Sequence, residues 1–287
     1  MTPFIKAFFD EATYTVTYLV QDPEGSACAI IDPVLDFDQA SGRTSTASSD
    51  RVIEYVDSNG LEVAWILETH AHADHLTAAQ YIKSKTGGRT GVGELITHIQ
   101  AAFKDLFNLG DSLATDGSQF DHLLEDGDVL PLGSMGIQVL HTPGHTPACL
   151  TFVVGDAAFV GDTLFMPDYG TARVDFPCGD AATLYRSIQR IFQLPDETRL
   201  FMCHDYKAPD RDVFAWETTV AEERAENVHI HAGVTEQEFV EFRQKRDASL
   251  GMPKLMLPSI QVKIRAGDMP PVEDNGVAYL KLPINAL

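Results

Sequence analysis

The stretch Thr69-His70-Ala71-His72-Ala73-Asp74-His75 places four metal-grade side chains within six residues, and no other feature so narrows what this chain must build. Neutral imidazole and carboxylate are ligands of zinc and non-haem iron, and His-x-His followed by Asp-His can present side chains to two sides of a metal pocket. Such crowding is hard to explain as packing. The apolar run Leu61–Leu67 ends just before the motif and reads as a buried strand, while the segment from Asp74 to Gly87-Gly88 reads as an amphipathic helix. Strand, ligand loop and helix together would hold a site rigidly.

The remaining ligands must come from other strand ends. Tyr14–Val20 and Ala27–Ile31, joined by Asp22-Pro23-Glu24-Gly25, suit a hairpin that stops at Asp32-Pro33. Residues 36–50 are polar and rich in Ser and Thr, which predicts a mobile surface loop before a helix over Arg51–Ser58. Residues 91–121 read as an insertion with a helical segment near Ile96–Leu109 and no chemistry. Strands are expected at Val129–Leu132, Ile137–Leu140, Cys149–Val154, Ala157–Val160 and Arg199–Cys203. Helices are expected at Asp180–Phe192, Ala215–Glu226 and Glu236–Leu250, followed by a Pro-interrupted tail. Polar clusters then recur at strand ends: Asp32, the His70–His75 motif, His145, Asp162 and His204. In layered α/β folds, strand ends are where ligands converge. His70, His72 and His145 can form one metal pocket, Asp74, His75 and His204 an adjacent one, with Asp162 between them.

Composition bounds the partners. With 21 basic and 42 acidic residues the formal charge is −21, which argues against nucleic acid or an anionic membrane surface and requires a local basic pocket for any anionic substrate. No apolar stretch reaches the length of a membrane span, and the N-terminus lacks signal-peptide character, so a soluble, cytoplasmic protein is expected. Cys28, Cys149, Cys178 and Cys203 show no CxxC spacing; reduced thiols are expected, buried except for Cys178.

The order and wording of these clusters resemble the metallo-β-lactamase superfamily. Within it the chain is similar to the persulfide dioxygenases, on Thr17-Tyr18-Leu19-Val20, Ile31-Asp32-Pro33-Val34-Leu35, the His70–His75 motif, Thr142-Pro143-Gly144-His145-Thr146-Pro147, Gly161-Asp162 and His204-Asp205-Tyr206. The resemblance implies an α/β fold, a four-layer αββα sandwich. We expect a catalytic domain over residues 1–250, with a tail over 251–287 packed on it. It implies a single iron(II) per chain held by His70, His145 and Asp162, the two-histidine, one-carboxylate set that leaves three positions open. His72, Asp74, His75 and His204 would then orient those ligands by hydrogen bonds, with Asp32 supporting the loop. The implied substrates are glutathione persulfide and dioxygen, and the implied products sulfite and glutathione. Arg173 and Tyr206 match residues near the substrate pocket. The usual Arg-Thr-Asp-Phe is here Arg173-Val174-Asp175-Phe176. Homodimer formation is left open.

The runner-up is a two-zinc glutathione thioester hydrolase of glyoxalase II type, since every side chain for a second metal is present. Arg173 with Asp175 reads equally well as a salt bridge bracing its loop. The acidic run Glu217–Glu226 reads as a solvated face, and His98, His122, His229 and His231 as solvent-facing or helix-associated.

Overall fold

The computed structural model describes residues 1–286, so Leu287, the end of the expected tail, lies outside the described residues. Two six-stranded sheets form the centre. The first runs Phe4–Asp10, Thr15–Gln21, Ala27–Ile31, Glu62–Leu67, Arg89–Gly93 and His122–Leu124, antiparallel through its first three strands and parallel thereafter. The second runs Val129–Leu132, Met135–His141, Leu150–Val154, Ala157–Phe159, Arg199–Phe201 and Glu217–Thr219. Its one parallel pair, Ala157–Phe159 with Arg199–Phe201, is joined through the helix Ala181–Ile191, as a parallel crossover requires.

Alternation along the strands explains the layering. Val16, Tyr18 and Val20 point inward to meet Val139, Phe152 and Phe159 of the facing sheet. Their neighbours Leu19, Ile30 and Ile66 point outward against Val52, Val56 and Ile82 of the helices Ala47–Ser58 and Ala79–Thr86. On the far side Ala158, Leu200 and Met202 pack against Leu184, Ile188 and Phe239 of Ala181–Ile191 and Glu236–Asp247. Helix, sheet, sheet, helix is the four-layer sandwich that the sequence resemblance implies. Each buried Val, Leu, Ile or Phe adds roughly 1.5–3 kcal/mol of transfer free energy, so the double interface is the main driving force.

Several local expectations are corrected. Residues 36–50 are not a mobile loop: Val34–Asp38 pairs with Arg43–Ser45 and with Leu76–Thr77, and the next helix already begins at Ala47. Because Leu76–Thr77 spends its backbone groups on Val34 and Leu35, helix formation is delayed from Asp74 to Ala79. The supposed insertion opens with a sheet strand, Arg89–Gly93, hidden by its glycines. A side chain at Gly93 would put its first carbon 2.5 Å from the Ala148 carbonyl. The strands Phe4–Asp10 and Glu217–Thr219 and the buried helix Met256–Lys263 were also not anticipated. No helix among the described residues is long and apolar enough to cross a membrane.

Candidate metal centre

The strand Ala27–Ile31 ends at Asp32, whose backbone turns left-handed at φ 52°, a conformation aspartate tolerates better than most residues. Its carboxylate accepts the Thr69 amide at 2.7 Å and the Thr69 hydroxyl at 2.8 Å, and lies 3.1 Å from His72 Nε2. The next strand therefore enters the ligand loop with its first residue pinned. Gly161 packs against the same point: with φ 54°, a side chain there would reach within 2.7 Å of Thr69 Oγ1. This close approach brings Asp162 onto the loop. Asp32 is thus joined to the ligand loop by three contacts.

Each of five histidines has one ring nitrogen engaged by protein, and His70, His72, His75 and His204 leave the other buried and unpartnered. His75 Nδ1 donates to the Leu76 carbonyl at 3.0 Å, and His145 Nδ1 to the Arg173 carbonyl at 2.7 Å. His70 Nδ1 lies 3.1 Å from Thr69 Oγ1, and His204 Nδ1 lies 3.2 Å from Thr15 Oγ1. The buried atoms His70 Nε2, His72 Nδ1, His75 Nε2, His204 Nε2, Asp74 Oδ1 and Asp162 Oδ1 have no hydrogen-bond partner. Leaving so many buried polar atoms bare is expensive unless a cation satisfies them.

Distances agree with that reading. His70 Nε2 and His145 Nε2 stand 3.7 and 3.8 Å from Asp162 Oδ2. His204 Nε2 stands 3.2 Å from Asp162 Oδ1 and 3.3 Å from Asp74 Oδ2. Ligand atoms about 2.1 Å from one ion are separated by roughly 3.0–3.4 Å, so small contractions close either group on a metal. The donors fit a metal ion.

Protonation follows from burial and charge. Burial drives His70, His72 and His75 well below the usual imidazole range, which leaves them neutral as metal ligation requires. Burial also pushes His204 down, but Asp74 and Asp162 beside it outweigh this and raise it to about 9. Burial alone would raise Asp162; His204, His70 and His145 reverse this and hold it below the usual carboxylate range.

A cavity of about 560 Å³ opens on His145, Asp162 and Asp74. One wall is aromatic: Tyr206 is nearly parallel to His204, with centroids 5.8 Å apart, and lies 5.3 Å from Tyr169. Tyr206 Oη donates to Asp74 Oδ2 at 3.2 Å. Arg173 also lines the cavity, but Nε and Nη2 are taken by Asp175 at 2.5 and 2.6 Å and Nη1 by the Gly251 carbonyl at 2.7 Å. Sequence reasoning missed Arg246 and Lys254, which line the cavity without an ion-pair partner among the described residues. Two free cations beside the metal donors stand out in so acidic a chain, but no motif marked them. Two expectations for other polar residues are corrected. Glu223, in the supposedly solvated acidic run, is fully buried, and His229 accepts the Thr171 amide at 2.9 Å.

Residues 11–204 match the metallo-beta-lactamase superfamily. The chain is 56% identical over 293 residues to a probable metallo-hydrolase of Burkholderia pseudomallei, covering 99% of each chain. It is 47% identical over 285 residues to glyoxylase B2 of Dictyostelium discoideum, covering 99% of this chain and 97% of that one. It is 32% identical over 253 residues to the mitochondrial persulfide dioxygenase ETHE1 of Bos taurus, covering 87% of this chain and 82% of that one. Among solved structures, ETHE1 from Myxococcus xanthus superposes with a TM-score of 0.74 at 29% identity, covering 92% of this chain and 100% of that one.

Proposed function

The chain belongs to the metallo-β-lactamase superfamily, and from that premise we propose that it is an iron(II)-dependent dioxygenase that converts glutathione persulfide, dioxygen and water to glutathione and sulfite. The observation that carries this reading is the two-histidine, one-carboxylate group His70, His145 and Asp162, with His145 and Asp162 at the floor of a cavity that also holds Arg246 and Lys254. Iron(II) bound by these three would offer neighbouring open positions to a persulfide sulfur and to dioxygen.

The protein's own share is binding and orientation. Arg246 and Lys254 would take the carboxylates of the tripeptide, a role that fits them better than Arg173, whose guanidinium is already engaged by Asp175 and Gly251. The aromatic wall of Tyr169 and Tyr206 would pack on the peptide and keep bulk water from the reacting sulfur. His204 Nε2, 3.2 Å from Asp162 and 3.3 Å from Asp74, would attract both carboxylates when protonated, and Tyr206 anchors Asp74 from the cavity side. Both oxygen atoms of dioxygen and one from water end in sulfite, and the sulfur–sulfur bond breaks to return the glutathione thiol.

A second reading, a two-zinc hydrolase of glutathione thioesters, is favoured by one specific feature. His72 Nδ1, His75 Nε2 and His204 Nε2 are bare and buried as well. The similarity to glyoxylase B2 points the same way. Oxygen uptake separates the two. The purified protein should consume dioxygen when given glutathione persulfide and release sulfite. Rapid hydrolysis of a glutathione thioester with no oxygen uptake would refute the dioxygenase reading.

A further inference from the structure

The helix Glu236–Asp247 supplies no donor to the metal centre, yet it carries a buried ion pair directed at the loop behind His145. Arg243 and Asp247, 1% and 4% exposed, lie one turn apart, and the Arg243 guanidinium donates to the Asp247 carboxylate. Their other polar contacts go to the backbone and side chain of residues 171–174. Arg243 Nη1 donates to the Thr171 carbonyl at 2.9 Å and to Thr171 Oγ1 at 3.2 Å, while Asp247 Oδ2 accepts the Val174 amide at 2.8 Å. Between these anchors lies the Arg173 carbonyl, which accepts the Nδ1 hydrogen of His145 at 2.7 Å.

A buried ion pair is weak evidence of stabilisation, because apolar replacement of both partners is often neutral or better. Here its geometry does something an apolar pair cannot. We propose that Arg243 and Asp247 are positioning residues for the metal centre. By clamping Thr171 and Val174 they hold the Arg173 carbonyl on His145 Nδ1, fixing the tautomer and ring orientation that turn Nε2 toward Asp162.

The inference rests on His145 as a metal ligand, and the test separates the two claims. Cobalt(II) binding to the metal-stripped full chain is measured by chelator competition, together with the visible ligand-field spectrum and the pH dependence of binding. Arg243→Met/Asp247→Leu removes the pair without stranding a charge. It should retain the wild-type far-UV spectrum, weaken cobalt binding about tenfold and alter the ligand-field bands. Arg243→Lys keeps the ion pair but replaces the two guanidinium nitrogens that reach Asp247 and Thr171 separately with one shorter-reaching ammonium, so it should shift the same readouts by a smaller amount. It decides the matter if the double variant fails to fold. A lower melting temperature with unchanged cobalt affinity and spectrum would mean a simple brace and overturn the proposal. If His145→Ala itself binds cobalt as wild type does, the ligand assignment fails instead.

Discussion

Lys263 lies 2% exposed on the helix Met256–Lys263, and its Nζ donates to Glu68 Oε2 at 2.7 Å; Glu68 is likewise 2% exposed. The other Glu68 oxygen accepts the Thr77 hydroxyl. Glu68 and Thr77 bracket the ligand loop, so this ion pair ties the C-terminal helix to both ends of it. Lys263→Met keeps most of the side-chain volume but leaves a buried carboxylate with one neutral partner. Losing one member of a buried pair costs about 3–5 kcal/mol. At about 2–4 °C per kcal/mol for a large domain, the melting temperature should fall by roughly 6–20 °C. Glu68→Gln/Lys263→Met removes both charges and should recover most of that loss. The measurement is thermal and urea unfolding of metal-free protein, because bound metal would add its own linked stabilisation. A loss below about 1 kcal/mol in the single variant, or a double variant no better than the single, would refute this account of the pair.

Three further outcomes are expected. Asp32→Ala frees Thr69 and His72 at once and should weaken metal binding about 10–100-fold by competition titration, with fold retained by circular dichroism. If the proposed glutathione persulfide is the substrate, Arg246→Ala and Lys254→Ala should each raise its KM several-fold with kcat nearly unchanged, because these cavity-lining cations would hold its carboxylates and not the reacting sulfur. Burial raises the Glu223 carboxyl to about 8, above its unfolded value. The folded state therefore holds a proton that the unfolded chain releases, and stability declines as pH rises from the unfolded value to about 8. Glu223→Gln should flatten that decline and unfold at higher urea than wild type at pH 8, while a wild-type curve already flat over that interval would contradict it.

Much of the candidate metal centre was legible because its donors sit at strand ends and four of them crowd into the six residues His70–His75. His70, His72, Asp74, His75, His145, Asp162 and His204 all meet where the sequence placed them, around Asp162. What was not legible depends on tertiary distance. Arg243, Asp247 and Lys263 look like ordinary helix charges, and only packing reveals that they are buried and aimed at the ligand loops. Arg89–Gly93 escaped notice because a strand that needs glycine for close approach loses the alternation that marks strands. Helix formation from Asp74 was overruled by the pairing of Leu76–Thr77 with Val34–Leu35, about which local propensity says nothing.

The central claim is most directly tested by the metal itself. Crystals of anaerobically purified protein, measured on both sides of the iron and zinc absorption edges, locate and identify each ion. The account predicts one iron per chain, in contact with His70 Nε2, His145 Nε2 and Asp162. Two zinc ions, engaging His72, His75 and His204 as well, would contradict it.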